Sequence, residues 1–319
     1  MIRRCIAAAL LALLTGPVGA DAQERPVSAV IEQMAVPSSL PLATTPLAHQ
    51  TLEQCRDSPL QSRLQRAVSQ AGWGHLVAQE ALAVGIVDLS TPAHPRYAAL
   101  NGEEMMYAAS LPKIGILYAA VRQMERGTLA PSPAVEADLQ KMIRVSSNAA
   151  ATRMIDRVGG LEAVNRTLER SPAALYDRDR GGGLWVGKRF SSDSQRQPDP
   201  IEGLSHAATV HQVARFYTLA ATGQLVTPER SAQMLDALSN PGLDHKFVHA
   251  LQRRAPEADV YRKSGSWRQW HADSALVWGP NRRYVVVALV KNENGEQIVR
   301  SLLPAAEDAL GIAPRDSTS

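Results

Sequence analysis

The sequence predicts an α+β chain in which a five-stranded, mainly antiparallel sheet is flanked by helices and faces a helical lobe. Three observations carry that expectation. Two strand-like runs stand early and three stand late, the interval between them reads as helix after helix, and there is no regular strand–helix alternation of the kind a parallel sheet needs. A chain of 319 residues, 45% of them hydrophobic, can also bury one large core or two joined layers.

Each element has its own local reason. LQSRLQRAVSQA, from Leu60, places apolar residues at helical spacing. ALAVGIVDLS, from Ala81, changes the period toward strand, and RYAALNGEE reads as its hairpin mate. A helix opens at Ser110, buries Ile114, Ile116 and Leu117, and runs through Met124 toward Gly127. EADLQKMIRVSSNAAATRMIDRVGG reads as a helix, a short polar break and a second helix ending at Gly159, after which GLEAVNRTLER supplies another from Leu161. YDRDRGGGLWVGKRFSSDSQRQPDPIEG combines consecutive glycines with charges and turn residues, so it is expected to be mostly loop, and long loops often line sites. Helical spacing returns in TVHQVARFYTLAATG, and Thr227-Pro228-Glu229 opens a further helix with a cap followed by proline. DVYRKSGSW, SALVWGP and YVVVALVK read as three strands, the last two joined by a Gly-Pro-Asn turn, and PAAEDALG closes the chain as a helix.

The ends and the charge balance narrow the function classes. Arg3 and Arg4 precede the apolar run Cys5 to Leu14, and small residues follow through Ala20 and Ala22, the pattern of a secretory signal cut after either alanine. No Leu-x-x-Cys arrangement marks a lipid anchor, and the mature chain carries no other long uncharged apolar stretch that could span a membrane. The expected organisation is a signal peptide at 1–22, a flexible lead-in at 23–57 and one compact domain at 58–319, located in the periplasm or secreted, and monomeric. Loss of Arg3, Arg4 and Asp21 takes the formal charge from +3 to +2, which gives no electrostatic reason to expect nucleic acid or a membrane as partner. Cys5 leaves with the signal, so Cys55 remains without an internal bridge, and TLEQCRDS offers it no nearby histidine for catalysis.

YAASLPKIG holds the first chemical candidate. A helix cap would explain Ser110, because serine is a favoured N-cap and proline is tolerated in the first turn. It leaves Lys113 unexplained, since a lysine beside such an apolar run must snorkel to water or meet a partner. Residues three apart share a helix face, so a neutral Lys113 amine could take the Ser110 proton, with the helix start favouring the charge that develops. VSSNAA, the polar break, offers Ser146 and Asn148, two residues apart, for a cleft, although helix capping would account for Ser146 and Ser147. RKSGSW puts Lys263 and Gly265 on one strand face and Ser264 on the other; glycine there allows close approach of a substrate to the backbone, while an exposed edge strand would also favour lysine.

In their order, Ser-x-x-Lys, Ser-x-Asn and Lys-Ser-Gly resemble the signature set of class A serine beta-lactamases and penicillin-binding D,D-peptidases. The resemblance extends from Ala81 to Gly311 and implies a beta-lactamase/D,D-peptidase-like fold. It implies Ser110 as nucleophile, Lys113 as its activating amine or proton relay, Ser146 as the hydroxyl that returns a proton to the leaving nitrogen, and Asn148 as the amide orienting lysine and substrate. It further implies that Lys263 and Ser264 anchor a substrate carboxylate beside Gly265, and that the amides of Ser110 and Ser266 form an oxyanion hole. Ser147 stands where the family often has aspartate, and the chain between Lys113 and Ser146 is shorter than usual, so a trimmed helical lobe is expected.

The larger departure concerns water. Class A enzymes hydrolyse the acyl-enzyme with a loop glutamate, and no Glu-x-x-Asn pattern falls between Leu175 and Gly203; Asp177, Asp179 and Glu202 are the candidate deacylation bases there. The expected activity is a serine acyl hydrolase acting on a beta-lactam or related amide through an acyl-serine, with slow deacylation. A cell-wall D,D-peptidase acting on a peptidoglycan-derived substrate, an amidase, an esterase or a non-hydrolytic penicillin-binding sensor would use much of the same apparatus. No cofactor is expected: His245 and His249 are one turn apart but lack a third ligand, and His206, His211 and His271 have no ligand spacing. Trp185 is a candidate for the cleft rim, Trp267 and Trp270 for one wall, and Trp278 for the core.

Overall fold

YVVVALVK is apolar at nearly every position because the strand it forms is covered on both faces. Val285, Val287 and Leu289 enter one hydrophobic cluster, while Tyr284, Val286, Ala288 and Val290 enter the other. The computed structural model describes residues 40–42, 51–191 and 195–313. The expected signal peptide and most of the lead-in lie outside the described residues. The chain divides into a first unit, residues 1–34, which also lies outside them, and a second unit, residues 35–319, to which every described residue belongs.

Five strands form the main sheet: β1 (Leu82–Asp88), β2 (Arg96–Leu100), β8 (Asp259–Trp267), β9 (Trp270–Gly279) and β10 (Arg282–Lys291), in the order β2-β1-β10-β9-β8. Every pairing in it is antiparallel, with Val84 opposite Leu100, Gly85 opposite Val287 and Lys263 opposite Ser274. Helices α1 (Ser58–Gln70) and α10 (Gly295–Leu310) cover one face, joined by α9 (Phe247–Arg254). The other face carries α7 (Val210–Ala221) and the lobe made of α3 (Lys113–Glu125), α4 (Pro133–Arg144), α5 (Asn148–Arg157), α6 (Leu161–Arg170) and α8 (Pro228–Leu238). A short α2 (Gly74–Ala78) precedes β1. The glycine-rich stretch is mainly irregular, as expected, but contains β4 (Tyr176–Asp177), β5 (Gly182–Gly183) and β6 (Trp185–Val186); β7 (His206–Ala208) then pairs with both β6 and β3 (Met106–Tyr107).

Three local expectations are corrected. The third helix begins at Lys113, not Ser110, because Leu111, Lys113 and Ile114 donate three-residue turn bonds before the regular ladder starts. The last helix begins at Gly295 and carries Pro304 within it, so that proline does not mark the start. Packed structure also precedes residue 58: Leu52 and Cys55 are buried in a 3-10 turn, and Asp57 caps α1 by accepting from the Leu60 amide at 2.7 Å. No described helix is long and apolar enough to cross a membrane.

Two buried carboxylates lock the layers together. Arg262 on β8 grips Asp273 on β9 at 2.7 Å, and Asp273 also accepts from the Phe247 amide at the start of α9. Glu307 of α10 receives Arg254, Arg282 and the Tyr284 hydroxyl. Each carboxylate is fully buried yet supplied with charged and neutral donors, which is what a buried charge requires.

Candidate active site

Ser110 sits in the turn between β3 and α3, and its hydroxyl is not used as a cap. Pro112 occupies the N-cap position without a side-chain bond, and Ser110 makes no side-chain hydrogen bond to any described residue. Its amide likewise donates to no described partner, so a hydroxyl and an N–H at one residue are both available. The preceding residue, Ala109, holds a φ of 50°, a left-handed conformation that a residue with a Cβ adopts at a cost of about 1–2 kcal/mol. Such backbone strain persists where the surroundings over-determine it.

Gly265 supplies part of that constraint. β8 is the outer strand of the sheet, and at Gly265 its backbone lies against the turn bearing Ser110. A Cβ there would collide with the Ala108 carbonyl and with the amides of Ser110 and Leu111. The glycine of Lys-Ser-Gly therefore lets the sheet edge close onto the serine turn, whereas the sequence reading gave its closeness to a substrate.

Lys113 is fully buried at the first turn of α3. Its Nζ lies 2.6 Å from the Ser146 carbonyl oxygen, 2.8 Å from Asn148 Oδ1 and 3.3 Å from Ser146 Oγ. The ring of Phe190 covers it at 4.5 Å. Burial pushes the amine down to about 7, because no anion stands beside it to compensate lost hydration. A neutral amine that donates to the Ser146 carbonyl and Asn148 Oδ1 keeps its lone pair for a further proton.

The break between α4 and α5 shapes the other wall. Ser147 is the cap of α5, accepting from the Ala150 amide at 3.2 Å, whereas Ser146 is no cap and takes a φ of 57°. That turn delivers the Ser146 hydroxyl to two amines at once: Lys263 Nζ donates to it at 2.9 Å, opposite Lys113. Lys263 also donates to the Ser264 carbonyl at 2.7 Å, and burial, with Lys113 nearby, holds its amine well below the usual lysine range. Lys263 and Gly265 thus use one face of β8. Ser266 accepts from Lys246 at 2.8 Å, and Ser264 is buried without a side-chain partner among the described residues.

The structure brings Lys113, Ser146, Asn148 and Lys263 into direct contact, with Gly265 against the Ser110 turn. It does not bring Asp177, Asp179 or Glu202 to them. Asp177 caps a 3-10 turn by accepting from the Asp179 amide, stands 3.7 Å from Arg180, and lines a cavity of about 780 Å³ that shares no residue with the lysine cluster. Asp179 and Glu202 are exposed. Among the described residues the buried carboxylate of this stretch is Asp199, whose oxygens accept from the amides of Ile201, Glu202 and Leu204 and from Tyr176, which makes it the loop's organiser. Trp185 does not rim the cleft: it is buried against Tyr176 and donates to the Gln197 carbonyl. Trp278 is in the core, Trp267 is 56% exposed, and Trp270 packs edge-on against Tyr107. His245 contacts Arg262 and His249 contacts Asp244.

Two contributors escaped the sequence reading. Lys246 is fully buried, has a φ of 55°, and donates to the Gly265 carbonyl at 2.6 Å as well as to Ser266, so it tethers β8 from beneath. Burial lowers its amine to about 8. Phe190 is the other, an aromatic between polar residues with no periodicity to expose its role.

The sequence model of a family described as the beta-lactamase enzyme family matches residues 135–311, more than half of the chain. The chain belongs to that family. The match includes Ser146, Asn148 and Lys263 to Ser266, and begins after Ser110 and Lys113. No curated protein matches the sequence. Among solved structures, the beta-lactamase from Sphaerobacter thermophilus DSM 20745 is similar at 21% identity and a TM-score of 0.62, over 79% of this chain and 98% of that one. PBP-A is similar at 19% identity and a TM-score of 0.55, over 79% and 97%. A PBP-A mutant described as an acyl-enzyme complex with penicillin-G gives 20% identity and a TM-score of 0.55, over 79% and 98%. At these identities the likeness is one of fold, and it agrees with the beta-lactamase/D,D-peptidase architecture expected from the motifs.

Proposed function

We propose that this beta-lactamase-family chain is a serine acyl hydrolase that opens a beta-lactam or related amide and releases the acyl group slowly. The observation that carries the reading is the convergence of two buried amines, Lys113 and Lys263, on the Ser146 hydroxyl beside the unbonded Ser110 turn. In this reading the Ser110 Oγ attacks the carbonyl carbon while its proton passes to the neutral Lys113 amine. The amides of Ser110 and Ser266 receive the oxyanion. As the carbon–nitrogen bond breaks, Ser146 protonates the leaving nitrogen and is reprotonated from Lys113. Asn148 orients the Lys113 amine and the substrate, and Lys263 with Ser264 binds the substrate carboxylate.

Slow release is supported by the position of the acids. Water attacks an ester poorly unless a base takes its proton, and Asp177, Asp179 and Glu202 all stand apart from the lysine cluster. A D,D-peptidase or penicillin-binding role is the second reading, favoured by that same separation. Incubation of the mature chain with penicillin-G, read by intact-protein mass spectrometry, tests the first step. A single adduct that disappears in Ser110→Ala is expected; absence of any adduct across beta-lactams and fluorophosphonates, or an adduct that survives Ser110→Ala, would refute it. Rapid turnover of a D-alanyl peptide alongside a persistent penicillin adduct would favour the peptidase.

Export belongs to the same reading and is supported by Arg3, Arg4 and the apolar run after them. The chain recovered from the periplasm or medium should begin at Asp21 or Gln23, and act as a monomer; retention in the cytoplasm with Met1 intact would contradict export.

A further inference from the structure

The Lys113 amine has a polar side and an apolar side. Ser146 and Asn148 supply its oxygen contacts, while the ring of Phe190 lies over it at 4.5 Å. Phe190 is half-buried and packed against the main core, and it stacks on His206 with ring centroids 4.3 Å apart and planes 4° from parallel. His206 is itself fixed: it belongs to β7, pairs with Val186 across the strand, and is buried. Burial and the neighbouring cations lower its imidazole to about 3, so at neutral pH it offers Phe190 an uncharged face.

Resting on the proposed acyl-serine reading, we propose that Phe190 is a water-excluding residue that sets the lifetime of the acyl-enzyme, with His206 as its positioning residue. Hydrolysis of the ester requires a water oxygen to attack the acyl carbon, a base to accept the water proton, and the carbon–Oγ bond to break with that proton delivered to Ser110. Among the described residues, the base within the cluster is an amine, and a hydrocarbon ring covers one side of it at 4.5 Å. A water bound to that side would have to displace the ring and would meet no second polar partner on Phe190, where a stable site needs two or more. The initial attack by Ser110 needs no such water, so the ring slows one step and spares the other.

The experiment is a pulse-chase on the full mature chain. Wild type, Phe190→Ala, Phe190→Leu and His206→Ala are acylated with penicillin-G, freed of excess, and followed by intact mass. Phe190→Ala should lose its adduct at least about 10-fold faster than wild type while forming it within about threefold of the wild-type rate. Phe190→Leu keeps a hydrocarbon cover and should remain slow, and it guards against a fold lost in the alanine variant. His206→Ala should fall between them. Equal adduct lifetimes in wild type and Phe190→Ala, or fast loss in Phe190→Leu, would overturn the water-excluding role while leaving Ser110 as nucleophile. A wild type that forms no adduct at all would overturn the acyl-serine reading and this inference with it.

Discussion

Arg262 and Lys263 are chain neighbours on β8, both buried, and their charges are handled in opposite ways. Arg262 projects to Asp273 and forms a two-point pair, at 2.7 and 3.0 Å, that also collects the Phe247 amide. Lys263, one residue on and facing the lobe, reaches a hydroxyl and a carbonyl, and no carboxylate lies within ion-pair distance of it or of Lys113 among the described residues. Strand alternation assigns the two roles. The paired charge on one face is structural; burial lowers both unpaired amines on the other, and Lys113, brought down to about 7, is the one that can serve as a base near neutral pH.

The largest effect should come from breaking the paired side. Asp273→Ala strands the Arg262 guanidinium and should remove about 3–5 kcal/mol of unfolding free energy, measured by urea denaturation. A loss under ~1 kcal/mol, within the range of an exposed pair, would erase the contrast between the two faces. On the unpaired side, Lys113→Met should slow adduct formation at least ~100-fold, the lower end of a general-base contribution, without lowering the urea midpoint. Unchanged kinetics in the folded variant would make the amine's burial incidental.

Smaller and more diagnostic is the pH response. Adduct formation in the wild type should rise about tenfold per pH unit up to about 7 and then level, because the neutral Lys113 amine is the reactive form. Stability depends on the same group. Between about 7 and the ordinary lysine value the unfolded chain binds a proton that the folded chain does not, so stability rises with pH across that window. Thermal midpoints should climb there in the wild type and climb less in Lys113→Met; equal slopes would contradict the lowered amine. Least of all, Ser147→Ala should cost about 1 kcal/mol through loss of the α5 cap, read as a reduced urea midpoint.

The sheet was legible because period-2 runs and turn residues mark strands directly: β1, β2, β8, β9 and β10 fall on ALAVGIVDLS, RYAALNGEE, DVYRKSGSW, SALVWGP and YVVVALVK, although β2 stops at Leu100 and β9 already begins at Trp270. α9 was not, since DHKFVHALQRR is short and its buried face is only Phe247, Val248 and Leu251. The motif spacing pointed to Ser110, Lys113, Ser146, Asn148 and Lys263 because three stretches occur together and in order, although a helix cap alone would explain Ser146 and an edge strand alone Lys263. Lys246 and Phe190 gave no such signal. Lys246 reads as one more solvated cation in a polar stretch, and its burial arises from tertiary contact with Gly265 and Ala272. Phe190 acts through His206 and Lys113, neighbours that no local pattern links to it.

The central claim is that the cleft brings a lysine amine down to about 7, so that its neutral form is well populated at physiological pH, and it can be read without any substrate. Heteronuclear NMR of the lysine side chains, with the Lys113 signal assigned by its loss in Lys113→Arg, gives the amine's titration directly. A midpoint near 7, far below those of exposed lysines, is the expected result. A Lys113 midpoint at ~10.4, with the amine charged throughout the neutral range, would contradict the account.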